Sequence, residues 1–189
     1  MLPAAVLGTG LVVAYMTSRG PTNLVSVKSE RTQKVYQVQN LPDKQDAAEM
    51  MANIHDKLER LINRYKHDPN SSADPRVRTM IERFNPDNMS ENNIDSDSTS
   101  YSENKGERIV VCLRDKQKPY PLVDENTVMF VVLHEMAHLM TTTIGHTPEF
   151  WANFRRILKD AIAAGVYQEV NYTREPVEYC GMKITSSPL

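Results

Sequence analysis

Cysteine is scarce: Cys112 and Cys180 are the only two in 189 residues. They lie too far apart to form a Cys-rich zinc knuckle, and the count permits a disulfide without demanding one. Reduced, buried thiols in a domain facing the cytosol are the expectation. Basic excess is lacking as well, with 22 Lys and Arg against 24 Asp and Glu and a formal net charge of −2. No strong nucleic-acid signal marks the chain. Nor is there an apolar run of the roughly 20 residues that a bilayer-crossing helix needs. Residues 2–16 come nearest, interrupted by Pro3, Gly8 and Gly10.

That run has no basic side chain before it and no small-residue cleavage site after it, which disfavours a secretory leader. Arg19, Lys28, Arg31 and Lys34 follow it, against Glu30 alone. By the positive-inside bias, residues 1–20 are expected to be a membrane anchor holding the folded domain on the cytosolic side. A cleaved signal or a soluble tail are the alternatives. Residues 21–34, polar and unpatterned, read as a linker. Residues 35–189 are long enough for one domain with its own core.

Within that domain, Val35, Tyr36 and Val38 suggest a short strand. A long helix then runs from near Asp43 to about Tyr65. Ala47, Met50, Met51, Ile54, Leu58, Leu61, Ile62 and Tyr65 recur at helical spacing along one face. Asp46 with Glu49 offers a capping box, and Asp43 an equally good cap. His55 and His67 fall on the polar face or near the helix end. Asp74-Pro75 opens a shorter helix, which Asn85-Pro86 terminates. Residues 85–104 carry five acids and no base and read as a surface loop. Asp95 and Asp97 lack the ordered spacing of a calcium loop. Residues 107–113, rich in β-branched side chains, are the clearest strand. That strand could border a cleft and offer a free edge to an extended peptide, or be an ordinary central strand.

The chain is organised around residues 124–143, whose centre is His134-Glu135-Met136-Ala137-His138. Two histidines four apart stand one turn above each other on a helix. Both imidazoles can then reach one zinc ion, and the glutamate beside the first can act on a water there. At about 100° per residue, Thr127, His134, His138 and Thr141 share one stripe of an otherwise apolar helix capped by Asp124.

Two histidines make an incomplete zinc site, so a third ligand is needed. Gly145 can end the motif helix and turn the chain back, while Thr147-Pro148 caps the next helix. His146 therefore sits on the intervening turn and is the leading third ligand. Glu149 is its rival, or else a partner that fixes a ligand histidine; Glu175 and Glu178 are further candidates. Phe150, Trp151, Phe154, Ile157, Leu158, Ala161 and Ile162 supply the buried face of the last helix, stopped by Gly165. A hairpin or extended tail follows. Tyr179, and behind it Tyr172, could steady the oxyanion formed when water attacks a carbonyl, although ordinary packing is the alternative for each.

The segment HEMAHLMTTTIGHTPEFW resembles the SprT-like and WLM-type zinc metallopeptidases. The wider text LPDKQDAAEMM, NKGERIVVCLRD, GHTPEFWANF and PVEYCGMKI is similar to predicted metallopeptidases of large DNA viruses and some algae or protists, over residues 35–188. The resemblance implies an α+β, zincin-like domain. It also implies that His134, His138 and His146 bind Zn²⁺ and that Glu135 is the general base. The expected activity is hydrolysis of protein or peptide substrates. Competing readings are a non-catalytic, zinc-stabilised binding domain and a membrane-tethered structural protein associated with a virion.

Overall fold

The computed structural model describes residues 23–103 and 106–189. Its strands are β1 (Leu24–Lys28), β2 (Val35–Gln39), β3 (Met89–Glu91), β4 (Tyr101–Glu103), β5 (Arg108–Val111), β6 (Val177–Tyr179) and β7 (Met182–Ile184). Its helices are α1 (Lys44–His67), α2 (Pro69–Ala73), α3 (Pro75–Arg83), α4 (Glu125–Met140) and α5 (Pro148–Ala163). The architecture is α+β. A mixed sheet runs in the order β1-β2-β3-β5-β4, and β6 and β7 form a separate hairpin. β2, β3 and β5 are parallel to one another, while β1 and β4 run antiparallel to their neighbours.

α1 lays its apolar stripe, from Ala47 to Tyr65, against β1 and β2. α4 is buried nearly all round, as expected of a helix with little polar surface. It packs against α1, α3 and α5 and touches β5. Gly106, at φ +103°, lets the chain enter β5 beside these helices: a Cβ there would stand 2.7 Å from the Arg83 carbonyl oxygen.

Several expectations are corrected. Residues 24–28, read as linker, form β1 because they pair with β2 along its whole length. The acidic loop at 85–104 contains β3 and β4. β3 lies inside the sheet because Glu91 is neutralised: its carboxylate meets Arg114 Nε at 2.9 Å and accepts from the Gln39 amide at 2.6 Å. β5 is flanked on both sides, and the strands at the two ends of the sheet are β1 and β4. Asp43 makes no side-chain cap to α1, and its carboxylate instead bonds Arg114 at 2.7 Å. His55 is wholly buried and bonds Tyr36 and Lys34.

Cys112 and Cys180 form a disulfide rather than free thiols. The β6–β7 turn carries Cys180 over the chain just after β5, with the two Cα atoms 6.3 Å apart. Among the described residues, no helix is long and apolar enough to cross a membrane. α4, the most apolar, has 16 residues, and α1 with 24 is polar along one face. The expected transmembrane helix and the membrane-anchored localisation are corrected accordingly. Residues 2–16, on which they rested, lie outside the described residues.

Candidate metal centre

α4 presents the motif from a fixed platform. At its start the Asp124 carboxylate accepts from the Thr127 amide at 2.9 Å, filling one of the donors a helix leaves unpaired. Its last carbonyls are also occupied. Thr141 Oγ1 donates to Ala137, Arg83 donates to Leu139, and the buried Asn153 amide of α5 donates to Met140. His134 and His138 thus project from a helix held at both ends.

His146 arrives from the turn after α4. Gly145, at φ +84°, makes that turn in the left-handed region that glycine enters at no steric cost. Thr147 caps α5 by accepting from the Phe150 amide, and Pro148 follows at the first helical position. His134 Nε2 then stands 3.2 Å from His138 Nε2 and 3.1 Å from His146 Nε2. One nitrogen from each ring lies within 4.8 Å of the others, a group able to hold a metal ion. Two imidazoles about 2.0–2.1 Å from a tetrahedral zinc would place their nitrogens roughly 3.3 Å apart. The observed spacing fits that requirement.

The electrostatics favour neutral, ligand-ready imidazoles at His134 and His138. Burial, followed by repulsion from His138 and His146, pushes the His134 pKa down to about 3. Burial and His146 lower that of His138. Phe150 stacks on His138 with ring centroids 4.3 Å apart and also abuts His134 at 4.8 Å. This aromatic wall fixes the ring planes and contributes to their desolvation.

Glu135 is buried beside the histidines along α4. Burial raises its pKa to about 7, opposed by a hydrogen bond from the Ser102 amide of the edge strand β4. Its environment therefore balances the charged and neutral forms near neutrality.

The remaining candidates are committed to other contacts. Tyr179 has no exposed surface, and its hydroxyl donates to the Cys112 carbonyl at 2.8 Å and bonds Ser100 Oγ at 2.6 Å. Those contacts tie the C-terminal hairpin to β5 and to the residue before β4. Burial, together with the nearby Glu135 carboxylate, raises the pKa of that hydroxyl. Tyr172 is buried against Phe130. Glu178 pairs with Lys183 on the surface, and neither it nor Glu175 joins the metal-capable group. Glu149 bonds Thr142 and Thr143 rather than a histidine, and those bonds hold its carboxyl below the usual carboxylate range. Trp151, expected inside, is 42% exposed, with its ring 5.7 Å from that of His146. Sequence reasoning missed Asn153 and Ser102. An asparagine on the stripe Phe150–Asn153–Phe154–Ile157 was a readable signal for a buried polar contact; nothing local marks Ser102.

A sequence model of the WLM domain matches residues 30–181. The chain belongs to the WLM family. An uncharacterised protein of Acanthamoeba polyphaga mimivirus is 31% identical over 175 residues, covering 92% of this chain and 88% of its own length. An uncharacterised protein of Invertebrate iridescent virus 3 is 43% identical over 89 residues, 46% of this chain and 52% of that protein. Among solved structures, the crystal structure of Wss1 from Saccharomyces cerevisiae aligns with a TM-score of 0.52 at 18% identity. That alignment covers 68% of this chain and 86% of the other. At that identity the likeness concerns the fold, so this WLM-family chain shares a domain architecture with Wss1, built around the helices and small mixed sheet described above.

Proposed function

We propose that this protein is a zinc-dependent metallopeptidase of zincin-like fold. The observation that carries the reading is the convergence of three imidazole nitrogens, two of them from a helix that also carries the buried Glu135 carboxyl. His134, His138 and His146 would hold Zn²⁺, leaving a fourth position open as hydrolytic zinc sites require. When bound there, zinc supplies Lewis acidity toward water and the scissile carbonyl.

The chain's own groups do the remainder. The Glu135 carboxylate takes a proton from the attacking water and carries it to the leaving amine. Burial raises its pKa to about 7 in the metal-free protein, and a bound dication would pull it down toward the carboxylate form that accepts the proton. The Ser102 amide orients that carboxylate from the strand edge. Phe150 covers one side of the histidines, stacked on His138 and edge-on to His134. The substrate class is protein or peptide, as the family membership supports.

Glu135→Gln preserves shape while removing the proton acceptor. It should keep metal content and fold, yet lose at least ~10²-fold in the rate of peptide hydrolysis, the low end of a general-base contribution. Equal rates in the variant and the wild type would eliminate Glu135 as the base. Metal binding with no hydrolysis by either protein would favour a non-catalytic zinc domain.

A further inference from the structure

The turn that delivers His146 is exposed, although the His146 ring itself lies 4.6 Å from that of Phe150 and 5.7 Å from that of Trp151. Thr142, Thr143, Ile144, Gly145 and His146 are all exposed. Burial therefore does less to set the backbone that carries this candidate ligand than it does for His134 and His138. Hydrogen bonds from the first turn of α5 supplement it. Glu149 Oε1 accepts from the Thr142 amide at 3.1 Å, and both carboxylate oxygens lie 3.1 Å from Thr142 Oγ1. Oε2 accepts from the Thr143 amide at 3.3 Å and from Thr143 Oγ1 at 2.9 Å. Thr143 Oγ1 also meets Thr147 Oγ1 at 2.6 Å. The backbone under Glu149 is itself immobilised, because its helical neighbours Phe150, Asn153 and Phe154 lie in the core.

We propose that Glu149 is a positioning residue: its carboxylate fixes residues 142–146 so that His146 meets the other two imidazoles. The inference rests on the metal-binding reading above and adds a role for a side chain that touches no ligand. A bland alternative exists, since any carboxylate in the first turn of a helix interacts favourably with the helix dipole. Aspartate separates the two. It keeps the charge at the α5 N-terminus but is one methylene too short to reach Thr142 and Thr143.

The test uses the full chain and Co²⁺ as probe, with affinity and visible absorption as readouts. Glu149→Ala and Glu149→Asp should each weaken Co²⁺ binding ~10–100-fold, the usual loss when a group supporting a ligand is removed, and alter the ligand-field bands. In a His146→Ala background, Glu149→Ala should change affinity less than about twofold, because coupled residues are non-additive. Wild-type affinity in Glu149→Asp would overturn the proposal, and so would an undiminished Glu149→Ala effect without His146. If Glu149→Ala fails to fold, the Thr142→Val/Thr143→Val pair removes the hydroxyl half of the network and should weaken Co²⁺ binding in the same His146-dependent way. Because metal affinity is measured rather than hydrolysis, a protein that binds Co²⁺ but cleaves nothing would refute the peptidase reading alone. Failure of the wild type to bind Co²⁺ would overturn both.

Discussion

The candidate centre joins two unlike regions. α4 supplies His134, Glu135 and His138 from a helix buried nearly all round and capped at both ends. The turn at 142–146 supplies His146 from exposed residues held by the Glu149 carboxylate, the Thr147 hydroxyl and the turn at Gly145. Close packing makes the first region intolerant of change, and it presets two imidazoles whether or not metal is present. The second is set by hydrogen bonds open to water, each modest in net strength. Metal affinity should therefore depend on the turn, and global stability on the helix.

Equivalent truncations in the two regions should expose that contrast. Leu133 is wholly buried in α4, so Leu133→Ala should destabilise by about 2–5 kcal/mol. Denaturant unfolding of metal-free protein measures it. A loss below 1 kcal/mol would mean that α4 is not the rigid half.

The buried carboxyl offers the next largest effect. In chelator-treated protein, Glu135 has a folded pKa of about 7, above the ordinary carboxylate range. A raised pKa contributes stability that is complete below the unfolded value and is lost as pH rises through about 7. Glu135→Gln should therefore gain stability relative to wild type as pH rises from 4.5 to about 7, by an amount of order 2–3 kcal/mol that stays constant at higher pH. His134 acts with the opposite sign. Its folded pKa of about 3 makes a contribution that is complete above pH 6.5 and lost as pH falls toward 3. His134→Gln should flatten the acid side of the same profile. A pH-independent difference between Glu135→Gln and wild type would contradict the assigned burial.

The smallest effect belongs to the turn. Ile144 is 99% exposed, and Ile144→Ala should shift unfolding by no more than about 0.5 kcal/mol. A larger loss would show that the turn packs against something.

Legibility in the sequence followed the same division. Local chemistry identified the functional helices well. Asp124 with Thr127, and Thr147 with Pro148, are short-range signals, and both form the expected caps. The stripe of α1 was equally readable, because periodicity within one helix needs no knowledge of its partner. Long-range pairing was not readable. Glu91 made residues 85–104 look like surface because its partner Arg114 lies 23 residues away. β1 looked like a linker because its stability comes from β2 rather than from its own composition. Cys112 and Cys180 looked like free thiols because 68 residues separate them and only the fold brings them together. Trp151 was placed inside by its neighbours' pattern, but it falls at the margin of the α5 stripe and stays exposed.

The most direct measurement is a crystal structure of zinc-loaded protein with anomalous data at the zinc edge. The account predicts one strong peak about 2.0–2.1 Å from an imidazole nitrogen of each of His134, His138 and His146, with no protein atom at the fourth position. A peak held by two histidines and a carboxylate, with His146 turned away, would contradict it.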